Sequence, residues 1–303
     1  MRAHSSKSTI YLVISGILWG TGGLIGTVLG QLTGLSPLAV AAYRLLVGGL
    51  LIVGYLVLAG RRRSSGQRGL TRRRRPSGRG AWTRIAVVGL LSAQFQSCYF
   101  LAISQTSVSL ATLITIGAAP VIVQVADAFR GRGSGRGKVL TTMLALLGLA
   151  LLVGVPGAGF SEGAMVASAA LSLLAAAGFA AVTMIGTRPV PGLDDLTVTG
   201  YAFLLGGLPL LLAAALVGRV GCTLDPATVG LVAALGTGPT AVAYLAYFRG
   251  LRGAPAYTGT LVTLLEPLTS AVLAVLILGD RLSAAGIAGA VILGLAVIGA
   301  LRH

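Results

Sequence analysis

Of the seven acidic residues in this chain, Glu266 alone lies deep inside an apolar stretch, ten residues into the run 256–278. At the rise of an α-helix that is about 15 Å from the end of the run. A carboxyl group at such depth costs roughly 2.5–3.5 kcal/mol on insertion scales and usually faces a cavity or a partner. Glu266 is therefore a candidate proton carrier, a candidate site-lining group, or a structural glutamate beside Pro267. Arg44 is the other deep charge, seven residues into the run 37–59. It could bind a carboxylate or phosphate of a substrate, pair with an acid such as Glu266, or snorkel to the interface. Proton coupling or gating is the role assigned to this pair.

Two polar stripes accompany these charges. Ser92, Gln96 and Tyr99 fall at i, i+4 and i+7, one helical face, and Thr240, Tyr244 and Tyr247 repeat the spacing 148 residues later, with Thr237 one turn before them. Facing inward, they would offer hydrogen bonds and aromatic surface to a small polar or amphiphilic solute. Facing neighbouring helices, they would make interhelical bonds worth about 0.6 kcal/mol each. Trp19, next to Gly20, adds an aromatic surface at similar depth. The expected substrate-binding set is Trp19, Gln96, Tyr99, Tyr244, Tyr247 and Glu266. Pro120 and Pro267 are equivalent at an offset of 147 residues and are expected to kink their helices, because proline lacks the N–H that closes a helical turn.

Catalysis finds little support. The only histidines are His4 and His303, at the chain ends, and Asp194 and Asp195 are neighbours that cannot face each other across a substrate. No G-x-x-x-x-G-K-[ST] phosphate loop is present. The chain is expected not to be an enzyme, and no cofactor or metal site is expected.

The elements that must position these residues are written twice. Tyr43-Arg44-Leu45-Leu46-Val47-Gly48-Gly49-Leu50 is echoed by Tyr201-Ala202-Phe203-Leu204-Leu205-Gly206-Gly207-Leu208, an offset of 158. Gly20 matches Gly178 at the same offset, and Tyr99-Phe100 returns as Tyr247-Phe248. Hydrophobic residues make up 55% of the 303 and charged residues 10%, against roughly 25% charged in soluble domains. Mean hydropathy is +0.91. Apolar runs near 10–29, 37–59, 82–104, 107–126, 138–155, 163–186, 197–217, 227–248, 256–278 and 284–301 each approach the roughly 20 residues that a bilayer core requires. The expected fold is an all-α integral membrane protein of ten transmembrane helices, arranged as two inverted five-helix repeats.

Charge orients the ten spans. With the N-terminus in the cytoplasm, 20 of the 23 basic residues fall on the cytoplasmic side, which is the positive-inside pattern. The net charge of +16 therefore reflects topology, and no nucleic-acid partner is expected. The run 10–29 is read as the first helix, not as a cleaved leader. Residues 1–9 form a cytoplasmic N-terminus, 10–155 the first repeat, 156–162 an external connection and 163–301 the second repeat, in the cytoplasmic membrane with both termini inside. The basic segment 61–84 reads as a flexible cytoplasmic loop that fixes topology and attracts anionic lipid. Cys98 and Cys222 read as free thiols. Five helices per half place the second half inverted, with a binding site near the midplane between the halves.

Taken in order, these residues resemble the EamA-type members of the drug/metabolite transporter superfamily. The resemblance runs from about Ile10 to Leu301 and rests on four pieces: Leu18-Trp19-Gly20, Tyr43-Arg44, Leu265-Glu266-Pro267, and the turn Leu278-Gly279-Asp280-Arg281-Leu282-Ser283. It implies a ten-helix exporter of a small metabolite, amino acid or drug, working without ATP by alternating access through a central cavity. This chain departs from a two-glutamate pattern: Ala119-Pro120 stands where the second half has Glu266-Pro267, and Arg130-Gly131-Arg132-Gly133 where it has the acidic turn. Any carboxylate role falls to Glu266 alone. A monomer is the expected state, with a homodimer as the alternative. A flippase for a lipid or lipid-linked sugar and a non-transporting partner subunit are the competing functions.

Overall fold

A computed structural model describes residues 6–63, 78–131, 135–154, 159–188, 190, 192–218, 220–223, 225–279 and 281–302. Helix is the only regular structure among them. The first seven spans are α1 (Ser6–Thr33), α2 (Pro37–Arg63), α3 (Arg79–Gln105), α4 (Val108–Phe129), α5 (Arg136–Val153), α6 (Glu162–Gly186) and α7 (Asp195–Val217). The eighth is α8 (Pro226–Gly236), a π-helical stretch Thr237–Val242, and α9 (Ala243–Leu251). The ninth is α10 (Ala256–Val262), α11 (Leu265–Leu273) and a second π-helical stretch, Ala274–Leu278. The tenth is α12 (Ala284–Arg302). Among the described residues, ten helices are long and apolar enough to cross a membrane.

Side chains close several of the helix starts that lipid would otherwise leave unpaired. Ser107, Ser161 and Asp194 accept from the backbone N–H of Leu110, Ala164 and Thr197. Asp225 accepts from both Ala227 and Thr228, with Pro226 in the first turn of α8. At the exit of the ninth span Gly279 takes φ 73°, a left-handed conformation that needs no Cβ.

The packing has the exchange symmetry of two inverted halves. α1 leaves its own half to lie against α9 and α11, and α6 does the reverse, lying against α3 and α4. The remaining equivalent pairs pack on each other, α2 with α7 and α5 with α12. Gly148 and Gly289 let the last pair touch: a Cβ on Gly289 would meet the backbone oxygen of Gly148 at 2.6 Å. Such close approach of small residues is how helices associate in lipid, where no hydrophobic drive separates protein from solvent. Large apolar side chains such as Leu50, Leu90, Leu212 and Leu295 remain on the outside.

Chain order sorts the helix ends onto two faces. One, the basic face, carries the ends at Arg79, Phe129, Arg136, Gly186, Asp195, Leu251 and Ala256. The other carries the ends at Gln105, Val108, Val153, Glu162 and Pro226.

Two features differ from expectation. Helix continues into the basic segment 61–84 from both sides, through Arg63 and again from Arg79, in keeping with the good helix propensity of arginine. Its residues 64–77, where a lipid-facing loop is expected, lie outside the described residues, as do residue 155, residues 156–158 of the external connection and Asp280. The two equivalent prolines also behave differently. α4 runs unbroken through Pro120, whereas the ninth span breaks at Thr263–Leu264, just before Pro267. Hydroxyl groups account for the contrast. Thr263 and Thr260 donate to carbonyls within their own helix, and Leu264 and Glu266 bond three residues back instead of four. The equivalent positions in α4 are Ile116 and Leu113, which cannot compete for the backbone.

Candidate functional site

A cavity lies between the two halves. Trp19 of α1, Arg44 of α2, Gln96 and Tyr99 of α3, Tyr244 of α9 and Glu266 of α11 all border it. The remaining lining is Phe95, Thr115, Ile116, Phe179 and Thr263. Both repeats contribute, and equivalent positions face each other: Gln96 opposite Tyr244 at an offset of 148, Ile116 opposite Thr263 at 147.

Close packing brings α1 and the ninth span together beside the cavity. A Cβ on Gly20 would sit 2.5 Å from Cβ of Thr269 and 2.8 Å from the backbone oxygen of Glu266. α1 thus rests directly on the backbone of the ninth span, and Ser270 donates to the carbonyl of Gly20 at 2.9 Å across the same contact. Trp19, one residue earlier, turns its ring into an aromatic cluster: 5.0 Å from Tyr244, 4.9 Å from Tyr247 and 6.0 Å from Phe179, ring centre to ring centre. Phe95 extends the cluster, 5.4 Å from Phe179.

Two buried donors in the wall have no partner among the described residues. Trp19 is 5% exposed and Gln96 2%, and neither the indole N–H nor the Gln96 side-chain amide N–H finds an acceptor. A buried polar group without a partner costs about 1–3 kcal/mol, so two on one cavity wall suit a site whose acceptor arrives with a ligand. The hydroxyl of Tyr99 is already engaged, 2.6 Å from that of Thr112.

The charged pair stands apart. Arg44 leans onto the π-helical stretch of the eighth span, donating from Nε to Thr240 Oγ1 at 3.3 Å and from Nη2 to the carbonyl of Pro239 at 3.4 Å. No ion pair joins it to Glu266 among the described residues, although both border the same cavity. A π turn adds a residue to the helix and leaves backbone groups free for such side chains.

Tyr247 lies in a second layer. It does not border the cavity; its hydroxyl is 2.8 Å from that of Thr183, and its ring stacks 5.9 Å from Phe179. Ser92 and Thr240, also on the stripes, are spent on backbone carbonyls, those of Val88 and Leu235. Thr237 donates to the carbonyl of Ala233. Pro120 and Pro267 border no part of the cavity, although Pro267 adjoins Glu266. Sequence reasoning passed over Phe95, Thr115, Ile116, Phe179 and Thr263. Thr263 carried a readable signal, one turn before Glu266 on the same face.

Packing is uneven along the cavity. On the basic side, α9 and α10 are buried almost throughout, whereas no residue of α11 is buried. At the basic face Arg252 binds Asp195 at 2.7 Å, which holds the guanidinium pKa above its usual value. Among the described residues, no three of His, Cys, Asp or Glu gather closely enough to hold a metal ion.

Comparison with known proteins agrees with this architecture. The model of the EamA-like transporter family matches residues 6–154 and again 167–302, once in each half. An uncharacterized transporter of Bacillus subtilis (strain 168), YwfM, is 27% identical over 305 residues, covering 96% of this chain and 93% of its own. A protein of known crystal structure superposes with a TM-score of 0.77 over 98% of each chain at 20% identity, which speaks to the fold alone. With both halves matched, this ten-helix membrane protein belongs to the EamA-like transporter family.

Proposed function

We propose that this chain is a secondary active transporter that exports a small organic solute, a metabolite, amino acid or drug, across the cytoplasmic membrane. It does so by alternating access, with both termini in the cytoplasm. The single observation that carries this reading is the cavity between the halves, whose wall holds two buried donors without partners, Trp19 and Gln96, beside Arg44 and Glu266. A solute with an acceptor group would satisfy the donors, and its apolar body would meet Phe95, Phe179 and Tyr244.

The dense packing of α9 and α10 closes the cavity toward the basic face, so the conformer is read as open to the other side. Glu266 is the proton carrier and Arg44 the gating residue, holding the π-helical stretch of the eighth span through Thr240 and Pro239. Inverted repeats supply the second conformer by exchanging the arrangements of the two halves.

The test is flux by the purified chain alone, in liposomes loaded with a mixture of small organic solutes under an imposed pH gradient. Selective loss of one solute class that depends on the gradient supports the reading. Movement of labelled phospholipid between leaflets without solute loss would favour a flippase, and no flux of either kind would favour a partner subunit.

A further inference from the structure

A second, narrow crevice lies at the basic face. Arg84, Val88, Leu193, Asp195, Val198 and Phe248 border it. Like the central cavity it holds one arginine and one carboxylate; Phe248 is its aromatic ring, and its other walls are apolar, whereas the central cavity adds Gln96, Thr115, Thr263 and several rings.

Helical spacing joins the two chambers. On α3, Arg84, Val88, Ser92 and Gln96 follow one ridge in steps of four; the first two border the crevice and the last the cavity. On α6, Phe179 borders the cavity and Gly186 the crevice, two turns apart, with Val182 buried between them. On α9, Tyr244 and Phe248 do the same one turn apart, their ring centres separated by 6.3 Å. The partition is therefore one to two helical turns deep, and Tyr244, Phe248, Val182 and Ser92 lie within it. Ser92 is 5% exposed.

The crevice is also tied shut by polar contacts that can part without breaking a helix. Arg84 on α3 donates to the carbonyls of Ile185 and Arg188 at the end of α6. Asp195 at the start of α7 holds Arg252, which follows α9.

We propose that this crevice is the closed arm of the solute path, and that in the alternate conformer α9 moves away from the Arg84–Gln96 ridge of α3 to join it to the central cavity. The inference rests on the transporter reading above. Because both chambers hold an arginine, a carboxylate and apolar surface, a solute with a charged head and an apolar body finds a partner for each part in both. The Asp195–Arg252 pair and the Arg84 bonds are the inner latch.

Thiol accessibility tests this on the full chain in liposomes, with Cys98→Ala and Cys222→Ala as background and a membrane-impermeant methanethiosulfonate as probe. Val198→Cys marks the crevice, Ser92→Cys the partition and Gln96→Cys the central cavity. The proposal expects Ser92→Cys to react from the basic face, at least tenfold faster when Arg252→Gln removes the latch. Should Ser92→Cys fail to fold, Val88→Cys, one turn nearer the crevice mouth, is read in its place. Reaction of Gln96→Cys from the opposite face while Ser92→Cys stays inert from the basic face would overturn the closed arm and leave the transporter reading standing. A Gln96→Cys thiol that reacts from neither face would remove the central path itself, and the closed arm with it.

Discussion

Arg44 and Thr240 are joined across the two halves: the guanidinium Nε donates to the threonine hydroxyl at 3.3 Å, and that hydroxyl in turn donates to the carbonyl of Leu235 at 2.8 Å. Thr240 is fully buried, so the deep arginine of the second span is held by an irregular turn of the eighth. Thr240→Val keeps the shape and removes both bonds. Interhelical hydrogen bonds in membranes average about 0.6 kcal/mol, with a maximum near 1.7, so the melting temperature should fall only slightly. Solute flux should fall severalfold, because the gate loses its anchor. Equal flux at equal protein level would show that the tether has no part in gating.

Gln96→Leu separates function from folding. The amide N–H of Gln96 is buried without an acceptor, and replacing such a group by an apolar one of similar size is neutral or stabilising. The variant should melt at or above the wild-type temperature while solute affinity drops about tenfold or more, as measured by solute-dependent thermal shift. A variant that melts lower and keeps its affinity would assign Gln96 to packing.

Gly20→Ala probes the contact that sets α1 against the ninth span. Alanine normally favours a helix over glycine by about 0.8–1 kcal/mol. Here the added methyl would meet the Thr269 side chain and the Glu266 carbonyl well inside contact distance, and such overpacking costs about 1–3 kcal/mol. The net effect should be a lower melting temperature, partly restored by Thr269→Gly. Gly54→Ala, with nothing within 4 Å, is the matched control and should be neutral or stabilising.

Acid titration of the eighth span has a defined sign. The Asp225 carboxylate accepts from the backbone of Thr228, the hydroxyls of Thr228 and Thr223, and the backbone of Ala227, and these bonds hold its pKa well below the usual carboxylate range. A depressed folded-state value means the cap is fully present above the ordinary aspartate pKa and is lost only as the pH falls through the folded one. Hydrogen exchange at the start of α8 should therefore be as protected at pH 5 as at pH 8, once corrected for intrinsic rates. Asp225→Ala should expose those amides at both. A loss of protection between pH 8 and 5 in the wild type would contradict the cap.

Much of this architecture was readable before any coordinates. Apolar runs of bilayer length, basic residues between them and offsets of 158 and 148 residues define ten spans and two related halves, because lipid permits few alternatives to a helix. Trp19, Arg44, Gln96, Tyr99, Tyr244 and Glu266 stood out because polar or amphipathic side chains are conspicuous in apolar helices. Phe95, Ile116 and Phe179 did not: in a bilayer both the core and the lipid face of a helix are apolar, so hydrophobic periodicity does not say which way they point. The second-layer place of Tyr247 was hidden too, since its partner Thr183 lies 64 residues away on another helix. The unequal behaviour of Pro120 and Pro267 depends on Thr260 and Thr263, which compete for the backbone in one half and are replaced by Leu113 and Ile116 in the other.

The central claim is solute export through the cavity that Glu266 borders, and the most direct measurement is on whole cells. Small molecules in the medium are compared between cells expressing the wild type and cells expressing Glu266→Gln at equal membrane levels. The account predicts one solute class enriched outside only with the wild type, with the enrichment collapsing as the proton gradient is dissipated. The same solutes at the same levels for wild type, Glu266→Gln and cells lacking the chain would contradict it.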